Sequence, residues 1–152
     1  MAAIQQPSDL DILQVEADFP STEPATLFAY WTEPALLQQW WPPEAEIQPE
    51  AGGAYHLSWP GRNWHLRGRY THFEPAKRLG FTWRWDHDPQ EMRTREVTLV
   101  LEPLTGGGTR LRLTHKPYDH TPEEQEVRIE QHLTGWMHFL ACLQQAVEAP
   151  AQ

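Results

Sequence analysis

Residues 81–86 read FTWRWD. Phe81, Trp83 and Trp85 alternate with Thr82, Arg84 and Asp86, the two-residue period of a β-strand with one apolar face and one wetted face. Outward from this stretch the same pattern predicts strands at 45–49, 53–60, 64–74, 78–86, 94–103 and 109–116. Between them stand Gly52-Gly53, Pro60-Gly61, Pro75, Asp88-Pro89 and Gly106-Gly107-Gly108. Breakers at such short intervals indicate antiparallel hairpins. The triple glycine lacks the Gly-Lys-Ser/Thr ending of a phosphate loop and reads as a hairpin turn.

Toward the N-terminus, 11–19 (DILQVEADF) is predicted as a first strand and 1–10 as a flexible tail. The tetrapeptide TEPA occurs at 22–25 and again at 32–35. Thr22 and Thr32 suit helix caps, and each proline suits a first turn, where a missing N–H costs nothing. Two short helices are therefore predicted at about 23–31 and 33–40. Trp40-Trp41-Pro42-Pro43 ends the second, and at least one of these tryptophans is predicted to wedge between the helix pair and the sheet. Toward the C-terminus, Thr121-Pro122-Glu123-Glu124 forms a capping box that opens a helix running to about 147. Ile129, Leu133, Trp136, Leu140, Leu143 and Val147 lie on one stripe of it, with His132 at the edge. Gly135 lies off the stripe. A mid-helix glycine costs up to ~1 kcal/mol relative to alanine, which predicts a close approach by another backbone or ring.

Seven strands at ~4.8 Å spacing make a sheet about 34 Å wide, and one helix with its side chains is only ~10–12 Å across. The sheet must curl around the helix, with the two short helices at one end. The interior is then either filled by large side chains or left as a cavity. The inward residues predicted to wall it are Tyr55, Trp59, Tyr70, Phe81, Trp83, Trp85, Leu99, Leu113, His115, His132, Trp136 and Leu140. Aromatic walls with a few convergent polar groups are the make-up of small-molecule pockets.

Five segments carry a resemblance to a known family: LLQQWWPP (36–43), PEAGGAYH (49–56), GRYTHFEPAKRLGFTWRW (68–85), VTLVLEPLTGGGTRLRLTH (97–115) and HLTGWMHFLACLQQAV (132–147). The chain resembles the helix-grip superfamily of START, birch-pollen-allergen and polyketide-cyclase domains. Within it, the chain looks most like the family named for the activator of the heat-shock-protein ATPase. The resemblance covers about 11–147 and implies one α+β domain over 11–149. That domain is a curved seven-stranded antiparallel sheet around a long C-terminal helix, with two short helices after the first strand. It also implies a central cavity, often with a hydrophobic or lipid-like ligand, and transfers no common catalytic set. Co-chaperone activity in this family belongs to longer proteins with an added chaperone-binding domain, for which 152 residues leave no room.

The net charge of −9 repels phosphate backbones and argues against nucleic-acid binding. No stretch approaches the ~20 apolar residues of a membrane helix, so membrane insertion is not expected. The first residues show no signal peptide, and the single cysteine, Cys142, excludes an intramolecular disulfide. A cytoplasmic protein is therefore expected. Cys142 lies off the helix stripe without a sequence-local activator, and no Gly-x-Ser-x-Gly elbow is present. The eight histidines show no metal-ligand spacing, although His56, His65 and His72 could meet across strands; no metal and no cofactor is expected. Three functions remain open. The first is binding of a small hydrophobic or aromatic ligand without chemistry. The second is a cyclase- or dehydratase-like enzyme using His115 or His132. The third is an interaction module, co-chaperone-like, with a filled core. A homodimer is compatible with all three.

Overall fold

The computed structural model describes residues 3–148. Residues 1–2 of the expected tail and residue 149 of the expected domain lie outside them. The elements are β1 (Ile4–Gln6), β2 (Leu13–Phe19), α1 (Pro24–Thr32), α2 (Pro34–Leu37), β3 (Glu44–Ile47), β4 (Ala54–Trp59), β5 (Trp64–Glu74), β6 (Arg78–Trp85), β7 (Arg95–Pro103) and β8 (Thr109–Lys116). A long C-terminal helix follows, made of α3 (Pro122–Glu126), a π-helical stretch (Val127–Leu133) and α4 (Thr134–Val147). The strands form one antiparallel sheet in the order β1-β2-β8-β7-β6-β5-β4-β3. Among the described residues it has eight strands, not seven. The added one, β1, lies inside the stretch expected to be a loose tail and pairs Ile4 with Glu16 and Gln6 with Gln14. Three residues show too little alternation to be read as a strand, and what fixes them is the open edge of β2.

The alternation along residues 81–86 is met in space. Phe81 and Trp83 are 4% and 6% exposed, and Leu66, Tyr70, Val97, Leu99, Leu111 and Leu113 join them on the buried face. At Gly68 of β5 a Cβ would lie 2.2 Å from the Thr82 carbonyl oxygen of β6. Only glycine fits there. Its missing side chain leaves room for the Tyr55 ring, whose hydroxyl donates to that same carbonyl.

The helix starts differ from expectation. The N-caps are Glu23 and Glu33, neither with a side-chain bond. Pro24 and Pro34 take the first helical position and move each cap one residue past its threonine. Thr22 instead donates to the Glu148 carboxylate, and both Glu148 oxygens accept from the Ser21 N–H at 3.0 Å. Thr32 donates to the Phe28 carbonyl at 3.0 Å. The second short helix spans only Pro34–Leu37. Trp40 is the wedge: it is 4% exposed, and its indole N–H donates to the Tyr30 carbonyl at 2.9 Å.

At the long helix Thr121 accepts from the Glu124 N–H at 3.2 Å. The box is only half formed, because the Glu124 carboxylate pairs with Arg95. The π-helical turns widen the winding, so the buried face slips. Arg128 turns inward and donates to Gln125 and to the Ile12 carbonyl, while Ile129 is only half-buried. Below the π stretch the expected stripe resumes with Trp136, Leu140 and Leu143 buried.

A tryptophan-walled pocket as the candidate functional site

The strands β4, β5 and β6 bring their ring-bearing ends together beside the middle of the long helix. Trp59 and Trp64 are direct cross-strand partners at the β4–β5 turn. Trp83 and Trp85 share the buried face of β6, their planes at 88° and centroids 5.7 Å apart. Trp41, just past α2, stacks on Trp83 at 5.8 Å and 17°. Trp136 and Phe139 come from α4, and Trp136 lies 5.6 Å from Trp83. With His87, Gln131, His132 and Gly135 these side chains wall a pocket of about 500 Å³ that opens to solvent.

Of the residues expected to wall a cavity, Trp59, Trp83, Trp85, His132 and Trp136 line this pocket. Tyr55, Tyr70 and Phe81 do not. With Trp31, Leu37, Trp41 and Leu57 they close around a void of about 10 Å³, room for a single water at most. Leu99, Leu113, Leu140 and His115 are fully buried. The central part of the interior is thus packed, and the open space lies at one end. Trp41, Trp64, His87, Gln131 and Phe139 were not among the expected wall residues. Part of their signal is in the sequence: Gln131, Gly135 and Phe139 stand four apart, which puts them on one helix face beside the main stripe.

Gly135 corrects its own expectation. Nothing lies within 4 Å of where its Cβ would be. The glycine makes space in the pocket instead of admitting a neighbour. Gly135→Ala is therefore expected to stabilise the fold by up to about 1 kcal/mol, read as a raised urea midpoint.

Behind the ring wall lies a polar core. The His115 and His132 rings stack 4.4 Å apart at 9°. The Trp136 N–H donates to His115 Nδ1 at 3.1 Å, so His115 carries its proton on Nε2, which is buried without a partner. Tyr118 and His132 Nδ1 are 2.8 Å apart. Burial raises the Tyr118 pKa and keeps its phenol protonated. Among the described residues the hydroxyl has no other acceptor, so it donates to Nδ1 and leaves the His132 proton on Nε2. Burial first, and the Arg95 charge second, hold His132 down to about 3. Burial, with His132 beside it, also puts His115 well below the ordinary imidazole value. The pocket wall thus carries no charge from His132 at neutral pH. The Arg95 guanidinium lies 4.6 Å over the Tyr118 ring and bonds both Glu124 oxygens, at 3.0 and 2.8 Å. That pairing holds the Glu124 carboxyl below its usual range.

Of the outlying candidates, His56 and His65 meet at 2.9 Å, whereas His72 faces Arg78 instead. Among the described residues no three His, Cys, Asp or Glu side chains converge as a metal site would require. Cys142 does have a local neighbour: His138 Nε2 stands 3.8 Å from its sulfur, one turn back on the helix surface.

An antiparallel sheet packed on one long C-terminal helix, with a pocket at the end of their interface, defines a helix-grip domain of the START and polyketide-cyclase-like kind. The chain belongs to the family described as Activator of Hsp90 ATPase homolog 1-like protein, whose model matches residues 21–148. Among solved structures it is similar to a Rhodobacter sphaeroides protein, at 26% identity and a TM-score of 0.79, covering 99% of this chain and 100% of that one. A Mesorhizobium loti protein is 25% identical with a TM-score of 0.79, covering 93% of this chain and 99% of that one. An Hsp90 activator from Plasmodium falciparum has the same fold at 20% identity, with a TM-score of 0.72 and coverage of 93% and 99%. Comparison with curated proteins gives no match. Among the described residues no helix is long and apolar enough to cross a membrane.

Proposed function

We propose that this chain binds a small, largely apolar molecule in the tryptophan-walled pocket. The observation that carries the reading is the pocket itself: about 500 Å³ inside a ring wall contributed by six tryptophans. That volume falls within the roughly 300–1,000 Å³ of small-molecule sites, which share its mixture of aromatic wall and few polar groups. His132 supplies one of those groups, an oriented Nε2–H. An interaction module with a filled interior is disfavoured by the open volume, although the centre of the fold is indeed packed.

A second reading, proton-transfer catalysis on a bound substrate, draws on the Tyr118–His132 bond, which orients the imidazole as a catalytic pair would. Its weakness is the His132 pKa of about 3. A base that weak accepts protons poorly at neutral pH, where efficient general bases lie near the working pH. Binding is the better-supported function.

Gly135→Leu tests the site. The added side chain projects into the pocket, and leucine is a good helix former, so the fold is expected to hold. Tryptophan fluorescence of the wild-type chain is expected to be quenched saturably by naphthalene or a member of a panel of small apolar ligands. The variant is expected to lose at least about tenfold in affinity, the equivalent of 1.4 kcal/mol, with an unchanged or raised melting temperature. Absence of saturable quenching across the panel would refute the reading.

A further inference from the structure

We infer that the preferred occupant of this pocket is a soft organic cation of the quaternary ammonium or sulfonium type, carrying an apolar substituent. The inference rests on the pocket reading above and narrows it to a ligand class.

Three observations carry it. The first is the inclination of the rings. Trp83 meets Trp85 at 88°, Trp41 meets Trp59 at 65°, and Trp64 meets Trp85 at 65°. A planar ligand needs parallel faces, and the two near-parallel pairs of the wall, Trp41–Trp83 and Trp85–His87, are already stacked on each other. Rings inclined to one another present π-electron density from several directions, which suits a rounded charge. A cation within about 6 Å of such faces is attracted by the ring quadrupoles, most strongly by tryptophan.

The second observation is charge. Among the described residues no Lys, Arg, Asp or Glu lines the pocket, and burial keeps His132 neutral. The whole chain carries −9, a field that favours cations over anions. At the rim the chain already places a cation on one of these rings: the Arg62 guanidinium carbon lies 5.0 Å from the Trp64 centroid. Arg62 belongs to an exposed turn, where water and salt screen its repulsion.

The third is a shortage of acceptors. The side-chain N–H groups of tryptophan donate only, and His132 presents a donor. Among the described residues the side-chain acceptors of the wall are the Gln131 amide oxygen and a ring nitrogen of His87. A primary ammonium has three N–H donors to satisfy and would leave at least one unpaired, at a cost per buried group. A quaternary ammonium has none. The wall therefore discriminates between two cations of equal charge.

The test is a titration of the full chain, followed by tryptophan fluorescence and calorimetry, with four probes of one shape class. They are benzyltrimethylammonium, its neutral isostere neopentylbenzene, benzylammonium and phenylacetate. Benzyltrimethylammonium is expected to bind roughly two- to thirtyfold more tightly than neopentylbenzene, with benzylammonium weaker and phenylacetate weakest. In Trp85→Leu that preference is expected to shrink by at least half, while neopentylbenzene affinity changes less. Trp85 is only half-buried, and Trp59→Leu, also half-buried, is the second variant should the first be unstable. Equal or tighter binding of neopentylbenzene, or tighter binding of phenylacetate, would overturn the cation inference and leave the pocket reading intact. Failure of all four probes to bind would overturn both.

Discussion

Arg95→Met is expected to destabilise the fold by about 3–5 kcal/mol, the range measured when one partner of a buried ion pair is removed. The Arg95 side chain is 6% exposed and the Glu124 side chain 18%. The guanidinium satisfies three acceptors, the two Glu124 oxygens and the Pro117 carbonyl, while lying over Tyr118. These contacts tie β7 to the start of the long helix and to the loop that carries Tyr118. Methionine fills much of the same space, so the loss isolates the charge and its bonds. Among the described residues it leaves the Glu124 carboxylate with only the Asp119 N–H at 3.3 Å. The partial wetting of Glu124 places the loss toward the lower end. Adding Glu124→Gln is expected to recover part of it, because the stranded charge is gone. Urea unfolding of the two single variants and the double variant reads both effects. A loss below 1 kcal/mol for Arg95→Met would mean that the pair is worth no more than a surface bridge.

The sheet was legible because its signals are local. Alternation along 64–74, 78–86 and 109–116, cut by glycine and proline, fixes strand positions to within about two residues of those observed, and a narrow helix beneath a wide sheet implies the wrap. What escaped depends on context. β1 exists because β2 offers it an edge, and no pattern in Ile4–Gln6 says so. The π-helical turns leave no periodicity of their own, so the inward turn of Arg128 was hidden behind a stripe that predicted Ile129. The pocket was half legible. Strand parity correctly put Trp59, Trp83 and Trp85 on the inner face, but parity says nothing about how far along the strand the packing stops. Tyr55, Tyr70 and Phe81 share that face and meet other rings, while Trp83 and Trp85, a few residues on, meet space. The difference is made by Trp31 of α1 and Leu37 of α2, with Trp41 just past it, which fill the centre. It is made also by Gly135, whose missing side chain leaves room in the pocket.

The same packing that neutralises the histidines makes the fold sensitive to acid. In the unfolded chain His115 and His132 titrate near 6.5; in the folded chain His132 is held at about 3 and His115 well below its ordinary value. Between those limits the unfolded state binds more protons than the native state, so stability falls as the pH falls. It is fully present above about 6.5 and is lost on the way down toward the folded pKa. Each histidine contributes up to about 1.4 kcal/mol per pH unit, or about 3 kcal/mol for the pair between pH 6.5 and 5. The Glu124 carboxyl facing the pair, held below its usual range by its bonds to Arg95, stays ionised across that window. His56, whose pKa is lowered by partial burial, adds a smaller contribution of the same sign. The depressed carboxyls of Asp18, Asp86 and Glu124 act only at lower pH. Urea midpoints between pH 8 and 5 are therefore expected to be level at first and then to drop. In His115→Gln, whose amide oxygen can still accept from Trp136, the drop is expected to be about half as steep. A wild-type midpoint that stayed level to pH 5 would mean that the stacked rings accept protons inside the folded chain. That would give His132 a working charge at the pocket, favour proton transfer over simple binding, and remove the neutral wall on which the preference for a cation depends.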